Sequence, residues 1–373
     1  MNRELSFYNS LGGQEGMQLI VDTVNEKYNN TAWKRDFVWG RPQWNLDFSV
    51  LAAEIGIAPM AAIIDVNSPK PLRNVRGLSF YGGSIPKLGH GFNVDEQDMR
   101  NQQILAAKGG EIEVAAISDI FFKNIDKLVQ GAHARLNYMA DQARSTGSIV
   151  IDVNNNPDGA PNYVSVDLKV PAANKLKAGF NQTTPAAWSD LTDGNPIQDL
   201  IDMVAYADDN GIPYGAIEMS KTKFNAFASH PNVVAWTKGR MMVSDSVTYP
   251  VGKSDVLAAL EGFNLPPIVI NDSKYTAEVD GIVTAVGSAF DDDNVILRPM
   301  AILGEVKNAV SMHTLAPSSP TVVRTTAEEG KFALLSTWKA EELINHVELE
   351  ALAIPTLSNP KSLVILDTAT AFS

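Results

Sequence analysis

Residues 112–145 read IEVAAISDIFFKNIDKLVQGAHARLNYMADQARS, and this stretch decides the fold. No proline interrupts it. Ile117, Ile120, Phe121, Ile125, Leu128, Val129, Leu136, Met139 and Ala143 recur at three- and four-residue steps, the period of a helix with one apolar stripe. At ~1.5 Å per residue such a helix runs ~45 Å, longer than a globular domain usually needs, so it is a spine along which other elements dock. Gly147 stops it. Ile149 to Val153 then alternates as a strand, the run Asn154-Asn-Asn-Pro-Asp-Gly159 turns the chain, and Tyr163 to Val170 returns as the second strand of a hairpin.

Upstream, the texture changes. Phe37 to Val94 carries prolines at 42, 59, 69, 71 and 86 and glycines at 77, 82, 83, 89 and 91, punctuation that breaks helices and favours extended strands with turns. An excursion this long with little apolar periodicity, Leu78, Phe80 and Ile85 being its clearest alternation, is usually a functional loop or one that pairs with something else, the alternative being an ordinary irregular surface loop. Residues 1–35 form an arm with one amphipathic turn around Met17 to Val24. Downstream, Asn195-Pro196 is an N-cap followed by proline in the first helical position. That helix carries Ile197, Leu200, Ile201 and Val204 on one face and closes at Gly211. A strand from Ala216 to Met219, a helix capped by Ser220 that stops by Pro231, a short helix capped by Ser254, and strands at 268–270 and 295–297 around a hairpin at Asp280-Gly281 follow. This alternation describes an α/β lobe over about 195–310. The strand-like tail, 347–354 and 362–366, is expected to pair with the first hairpin.

Composition narrows the function. The 373 residues are 45% apolar and 20% charged, enough for a large core and two or three structural units, and there is no cysteine, which excludes disulfides, thiolate metal sites and a thiol nucleophile. The net charge of −13 disfavours an autonomous nucleic-acid reader. That charge is unevenly placed: residues 1–150 hold 15 basic and 16 acidic side chains, the remainder 15 and 27. Val66 to Val94 has no acid at all but contains Lys70, Arg73, Arg76 and Lys87. No leader or membrane span is legible, and a soluble intracellular protein is expected.

No chemical motif survives inspection. Gly252-Lys253-Ser254 lacks the glycine a phosphate-binding loop needs, position 247 being Val247. Asp152, Asn154 and Asn156 start with calcium-loop spacing, but Pro157 replaces the required glycine and Tyr163 the final glutamate, so they read as a hairpin turn. Asp291, Asp292 and Asp293 read as a solvated acidic turn. His90, His133, His230, His313 and His346 have no metal-ligand spacing, and no Gly-x-Ser-x-Gly elbow is present. The tryptophans, at 33, 39, 44, 188, 236 and 338, are spread as packing anchors.

The order of arm, extended basic excursion, long helix, strand pair, α/β lobe and returning strand resembles the major capsid proteins of tailed bacteriophages, more narrowly the lambda-type major capsid protein E family. The residues that carry this are Trp188-Ser-Asp-Leu followed by Asn195-Pro-Ile-Gln-Asp-Leu200, the helix of 220–230, Val295-Ile-Leu-Arg-Pro-Met-Ala-Ile-Leu-Gly304, and Ala351-Leu-Ala-Ile-Pro-Thr-Leu-Ser-Asn-Pro-Lys-Ser-Leu363. The resemblance implies an α+β tailed-phage capsid (Johnson) fold. Its N-terminal arm would be 1–36, its extended loop 37–110, its peripheral lobe with spine helix 111–195, its axial α/β lobe 196–330, and the return to the peripheral lobe 331–373. It also implies a non-enzymatic shell subunit without cofactor or metal, forming hexamers and pentamers of an icosahedral head in the host bacterial cytoplasm. DNA would be enclosed without sequence-specific binding. The further partners implied are a separate scaffolding protein, a portal and a decoration protein, with no membrane. A cargo-enclosing nanocompartment shell of the same fold is the alternative, and a soluble α/β enzyme the reading from another class. The expected interface between subunits is the excursion, with Leu78, Phe80, Tyr81 and Ile85 buried on a neighbour and Lys70, Arg73, Arg76 and Lys87 meeting acidic groups there.

Overall fold

Glu111–Thr146 is one unbroken helix of 36 residues, and Gly147 ends it at φ 69°, a left-handed conformation that strains any residue with a Cβ. The computed structural model describes residues 14–52, 79–107, 111–157, 164–242, 251–263, 265–279, 282–315, 321–339, 341 and 344–373. Its helices are α1 (Gln14–Lys27), α2 (Glu96–Ala107), α3 (Glu111–Thr146), α4 (Pro196–Asn210), α5 (Lys221–Ser229), α6 (Pro231–Arg240) and α7 (Lys253–Glu261). The strands are β1 (Phe37–Gln43), β2 (Asp47–Ala52), β3 (Ser79–Ser84), β4 (Lys87–Val94), β5 (Ser148–Ile151), β6 (Val164–Asp167), β7 (Lys175–Ala178), β8 (Ala216–Ser220) and β9 (Ile268–Asn271). They continue with β10 (Tyr275–Val279), β11 (Ile282–Gly287), β12 (Asn294–Arg298), β13 (Gly304–Ala309), β14 (Val322–Ala327), β15 (Phe332–Lys339), β16 (Ile344–Leu357) and β17 (Val364–Ala371).

Two units share these elements: the described residues of 1–48, 83–139 and 305–355 form one, those of 49–82, 140–304 and 356–373 the other. The first is built on a sheet in the order β1-β13-β16-β15-β14, with β4 also pairing β16. β16 runs antiparallel to β15, from Phe332↔Ala351 to Lys339↔Ile344, and to β4, from Val94↔Asn345 to Lys87↔Leu352. Val347, Leu349 and Ala351 alternate into a core that also buries Trp33, Phe37, Ile125, Val129, Leu136 and Phe332. The apolar face of α1, Met17, Ile20, Val21 and Val24, is buried as its spacing requires.

The second unit contains the mixed sheet β7-β17-β12-β8-β9, in which β12 is antiparallel to β17 and β8, while β17–β7 and β8–β9 are parallel. Leu200, Met203, Phe224, Phe227 and Leu260 cover the Ile217, Met219, Val295, Leu297, Val364 and Leu366 side of that sheet. The helix starts follow from their caps: Asn195 Oδ1 accepts the Gln198 amide at 3.2 Å, Ser220 Oγ that of Lys223 at 3.0 Å, and Gly211 closes α4 at φ 63°. β5 and β6 form the expected hairpin, from Ser148↔Asp167 to Ile151↔Val164, and β10–β11 another.

Several expectations need correction. The tail does not pair with the β5–β6 hairpin: β16 joins β15 and β4, and β17 lies between β12 and β7. Leu363 to Leu366 are all buried, so the segment has no solvent face to give a two-stranded hairpin and takes an interior place in a larger sheet. This pairing moves 356–373 into the α/β unit, and the units therefore do not divide at 195 or 330. The α2 helix occupies part of the stretch read as extended loop, and α6 begins at Pro231, where the preceding helix was expected simply to end. The last helix is capped by Gly252, with Asp255 accepting the Gly252 amide at 2.8 Å, and Ser254 lies inside its first turn.

Within the second unit, Gly304 lies so close to the Thr356 backbone that a Cβ would overlap that residue's carbonyl oxygen. Gly304→Ala should therefore destabilise the subunit by about 3 kcal/mol, read as a lower urea midpoint with unchanged slope.

Candidate functional site

In its described residues the excursion forms strands whose alternation separates a buried from an exposed face. In β2, Phe48 and Val50 are buried while Leu51 is 50% exposed; in β3, Tyr81 is buried while Phe80 is 65% exposed. Trp44, between β1 and β2, is 68% exposed, so it is not the packing anchor that its neighbours Trp33 and Trp39 are. Large apolar side chains are thus left in water at several described positions of this part of the chain.

The residues expected at the interface fall into different places. Lys70, Arg73, Arg76 and Leu78 lie outside the described residues. Tyr81 is buried in its own chain and donates its hydroxyl to the Leu357 carbonyl at 2.5 Å. Ile85 is buried too, and its amide donates to the Leu46 carbonyl at 2.7 Å. Lys87 begins β4 and pairs with Glu350 of its register partner strand. Burial pushes the Glu350 carboxyl up, but Lys87, Ser311 and His313 outweigh it and hold it below the usual carboxylate range. The base of the excursion is thus already ordered by β16, which a sequence so poor in apolar periodicity did not indicate. Of the expected apolar residues described here, Phe80 alone is exposed.

The sequence motifs beyond the excursion have structural explanations. Trp188 and Asp199 meet: the indole N–H donates to Asp199 Oδ2 at 2.7 Å, while Oδ1 accepts the Gly179 amide at 2.8 Å and Gln182 Nε2 at 2.7 Å. Burial raises the Asp199 carboxyl, and these donors oppose it. Its carboxylate ties the segment before α4 to that helix. In the Val295–Gly304 motif, Arg298 donates through Nε to Glu218 Oε2 at 2.5 Å, and Arg144 contacts Glu218 Oε1 at 3.2 Å. Arg144 also pairs with Asp141, which accepts Tyr275 Oη at 2.6 Å and Asn271 Nδ2 at 3.0 Å. Burial and the Asp141 charge push the Tyr275 hydroxyl far above its ordinary range, so it remains a donor. All the charged members of this network are below a tenth exposed, and each acid faces a guanidinium. The arrangement is a structural clamp inside the α/β unit.

The fold has known counterparts. The chain superposes on a prophage capsid protein structure from E. coli CFT073 with a TM-score of 0.54 at 12% identity, over 96% of this chain and 99% of that one. Weaker similarities link it to a phage-related protein from Bordetella bronchiseptica RB50 (TM-score 0.45, 15% identity, 94% and 97% covered) and to the capsid of cyanophage A-1(L) (0.43, 14%, 93% and 93%). No curated protein sequence matches. The architecture is that of the tailed-phage capsid proteins, a class that builds head shells. Residues 22–367 match the phage major capsid protein E model, and the chain belongs to that family. It is a shell subunit of a virion head.

The clamp and the Trp188 bond differ in kind, and their loss should differ in size. Glu218→Ala removes the buried carboxylate that two guanidinium groups share and should cost about 3–5 kcal/mol, whereas Trp188→Phe, which leaves Asp199 one donor short, should cost about 1–3 kcal/mol. Chemical denaturation of the unassembled subunits compares them.

Proposed function

We propose that copies of this chain close into an icosahedral head of hexamers and pentamers around double-stranded DNA, each copy laying its excursion on a neighbour. The observation that carries the reading is the run of exposed large side chains Trp44, Leu46, Leu51 and Phe80 in a member of a shell-forming family. Burying them against another copy removes apolar surface from water, and at ~25 cal/mol per Å² this is the main gain of association. The acid-free stretch with Lys70, Arg73 and Arg76 gives the contact direction, because the second half of the sequence carries nearly the whole negative excess. Charge of this kind sets register and encounter rate more than affinity. An acidic wall also suits an enclosed polyanion, since a wall that gripped phosphate would hinder both filling and ejection. Assembly in the bacterial cytoplasm on a separate scaffolding protein, with a portal and a decoration protein completing the head, belongs to the same proposal.

Phe80→Asp and the double variant Arg73→Glu/Arg76→Glu should each reduce shell yield at least tenfold by electron microscopy and light scattering, with the far-UV circular dichroism of the subunit unchanged. Normal shells from both would sink the proposed interface. Discrete monomers from the wild-type chain supplied with its scaffold would sink the shell itself.

A further inference from the structure

Strand β14 ends the sheet order of the first unit, and among the described residues the side of it turned away from β15 has no strand partner. A helix covers it instead. Gln18 of α1 acts as a surrogate strand: its Nε2 donates to the Thr326 carbonyl at 2.9 Å, and its Oε1 accepts the Thr326 amide at 3.2 Å. One face further along, Asn25 Oδ1 accepts the Glu328 amide at 3.3 Å. Two side chains seven residues apart on one helix thus satisfy backbone groups that would otherwise offer an open edge for pairing.

The cover is fastened at its C-terminal end by a buried cluster. Glu328, Glu329 and Gly330 all have positive φ, at 50°, 53° and 87°, an unfavourable course for two glutamates. The Glu328 carboxylate accepts Lys34 Nζ at 2.8 Å and Trp39 Nε1 at 2.9 Å, and faces His133 Nε2 at 3.4 Å. His133 Nδ1 accepts the Trp33 indole N–H at 3.2 Å, and the ring lies between Tyr28 and Phe332, each 5.1 Å away between centroids. An indole nitrogen can only donate, so Nδ1 must be bare, and a second proton on the imidazole would set two N–H groups against each other.

We propose that α1 is a releasable cover over the β14 edge, and that protonation of the His133 cluster in mild acid frees it. The charged and titratable groups facing the imidazole are Lys34, Glu328 and Tyr28, which stacks on it. Behind them stand Asp126, which accepts the Tyr28 hydroxyl at 2.9 Å and pairs with Lys27, and Lys331, which pairs with Glu329 and lies over Trp39. Burial lowers the affinity of His133 for a proton, Glu328 opposes this, and Lys34 reinforces it. A histidine held neutral when covered and free to titrate near 6.5 when released stabilises the covered state above that pH and loses this contribution below it. Glu328 works in the same direction lower down. Burial pushes it up, but His133, Lys34 and Trp39 hold it at about 2, so its contribution fades as pH falls from about 4.5 towards 2.

Hydrogen exchange with mass spectrometry on the full chain tests this. Between pH 7.5 and 5.5, after correction for intrinsic rates, the segments 14–27 and 322–327 should gain exchange together by about tenfold, while 216–220 in the other unit stays protected. His133→Gln keeps an acceptor and a donor without titrating and should abolish the acid step. Gln18→Ala should raise exchange in 322–327 at both pH values and leave the step in place. Equal wild-type protection at both pH values overturns the proposal, as does an unchanged step in His133→Gln; should that variant fail to fold, the wild-type and Gln18→Ala profiles decide.

Discussion

Backbone pairing along β16 is the constraint on which the first unit rests. Every amide and carbonyl that leaves water must find a partner, and this 14-residue strand supplies them to β15 over Ile344 to Ala351 and to β4 over Asn345 to Leu352. The β4 end of the excursion is held by this ladder. β12 plays the corresponding part in the second unit, antiparallel to β8 on one side and to β17 on the other. The buried acids reinforce the pairing locally: Glu218 bridges Arg298 and Arg144, and Glu350 bridges Ser311 and Lys87.

What the sequence disclosed was local. The long helix, the β5–β6 hairpin, the caps at Asn195 and Ser220 and the stops at Gly147 and Gly211 depend on residues a few positions apart, and each stands where its residues place it. Strand partnership is not local. Nothing within 87–94 names 345–352 as its partner, because the pairing is made by backbone groups common to all residues, and the glycines at 89 and 91 that permit the approach look like turn formers. The polar helix α2 escaped for a related reason: Glu96-Gln-Asp-Met-Arg-Asn-Gln-Gln has no apolar stripe to betray it. Trp44 misled in the opposite way, since a tryptophan in water looks, in sequence, like one in a core.

The excursion was legible as a region rather than residue by residue. Its composition marked 37–94 as unable to make a core of its own, and the exposed Phe80 agrees with that. Tyr81 and Ile85 do not, since strand alternation turns the first inward and the Leu46 carbonyl holds the second. Alternation is visible in sequence, but which face is the wet one depends on what the remaining strands cover.

The late position of β16 and β17 has a consequence for synthesis. Their partners include β4, some 250 residues earlier by register, as Asn93↔His346 illustrates, and β7, as Leu176↔Leu366 does. A chain emerging from the ribosome therefore carries both sheets unfinished until these strands are made, and it folds under a high contact order with open edges exposed. A chain made only as far as β15 lacks the ladder that holds β4, so neither sheet is complete before β16 and β17 are made.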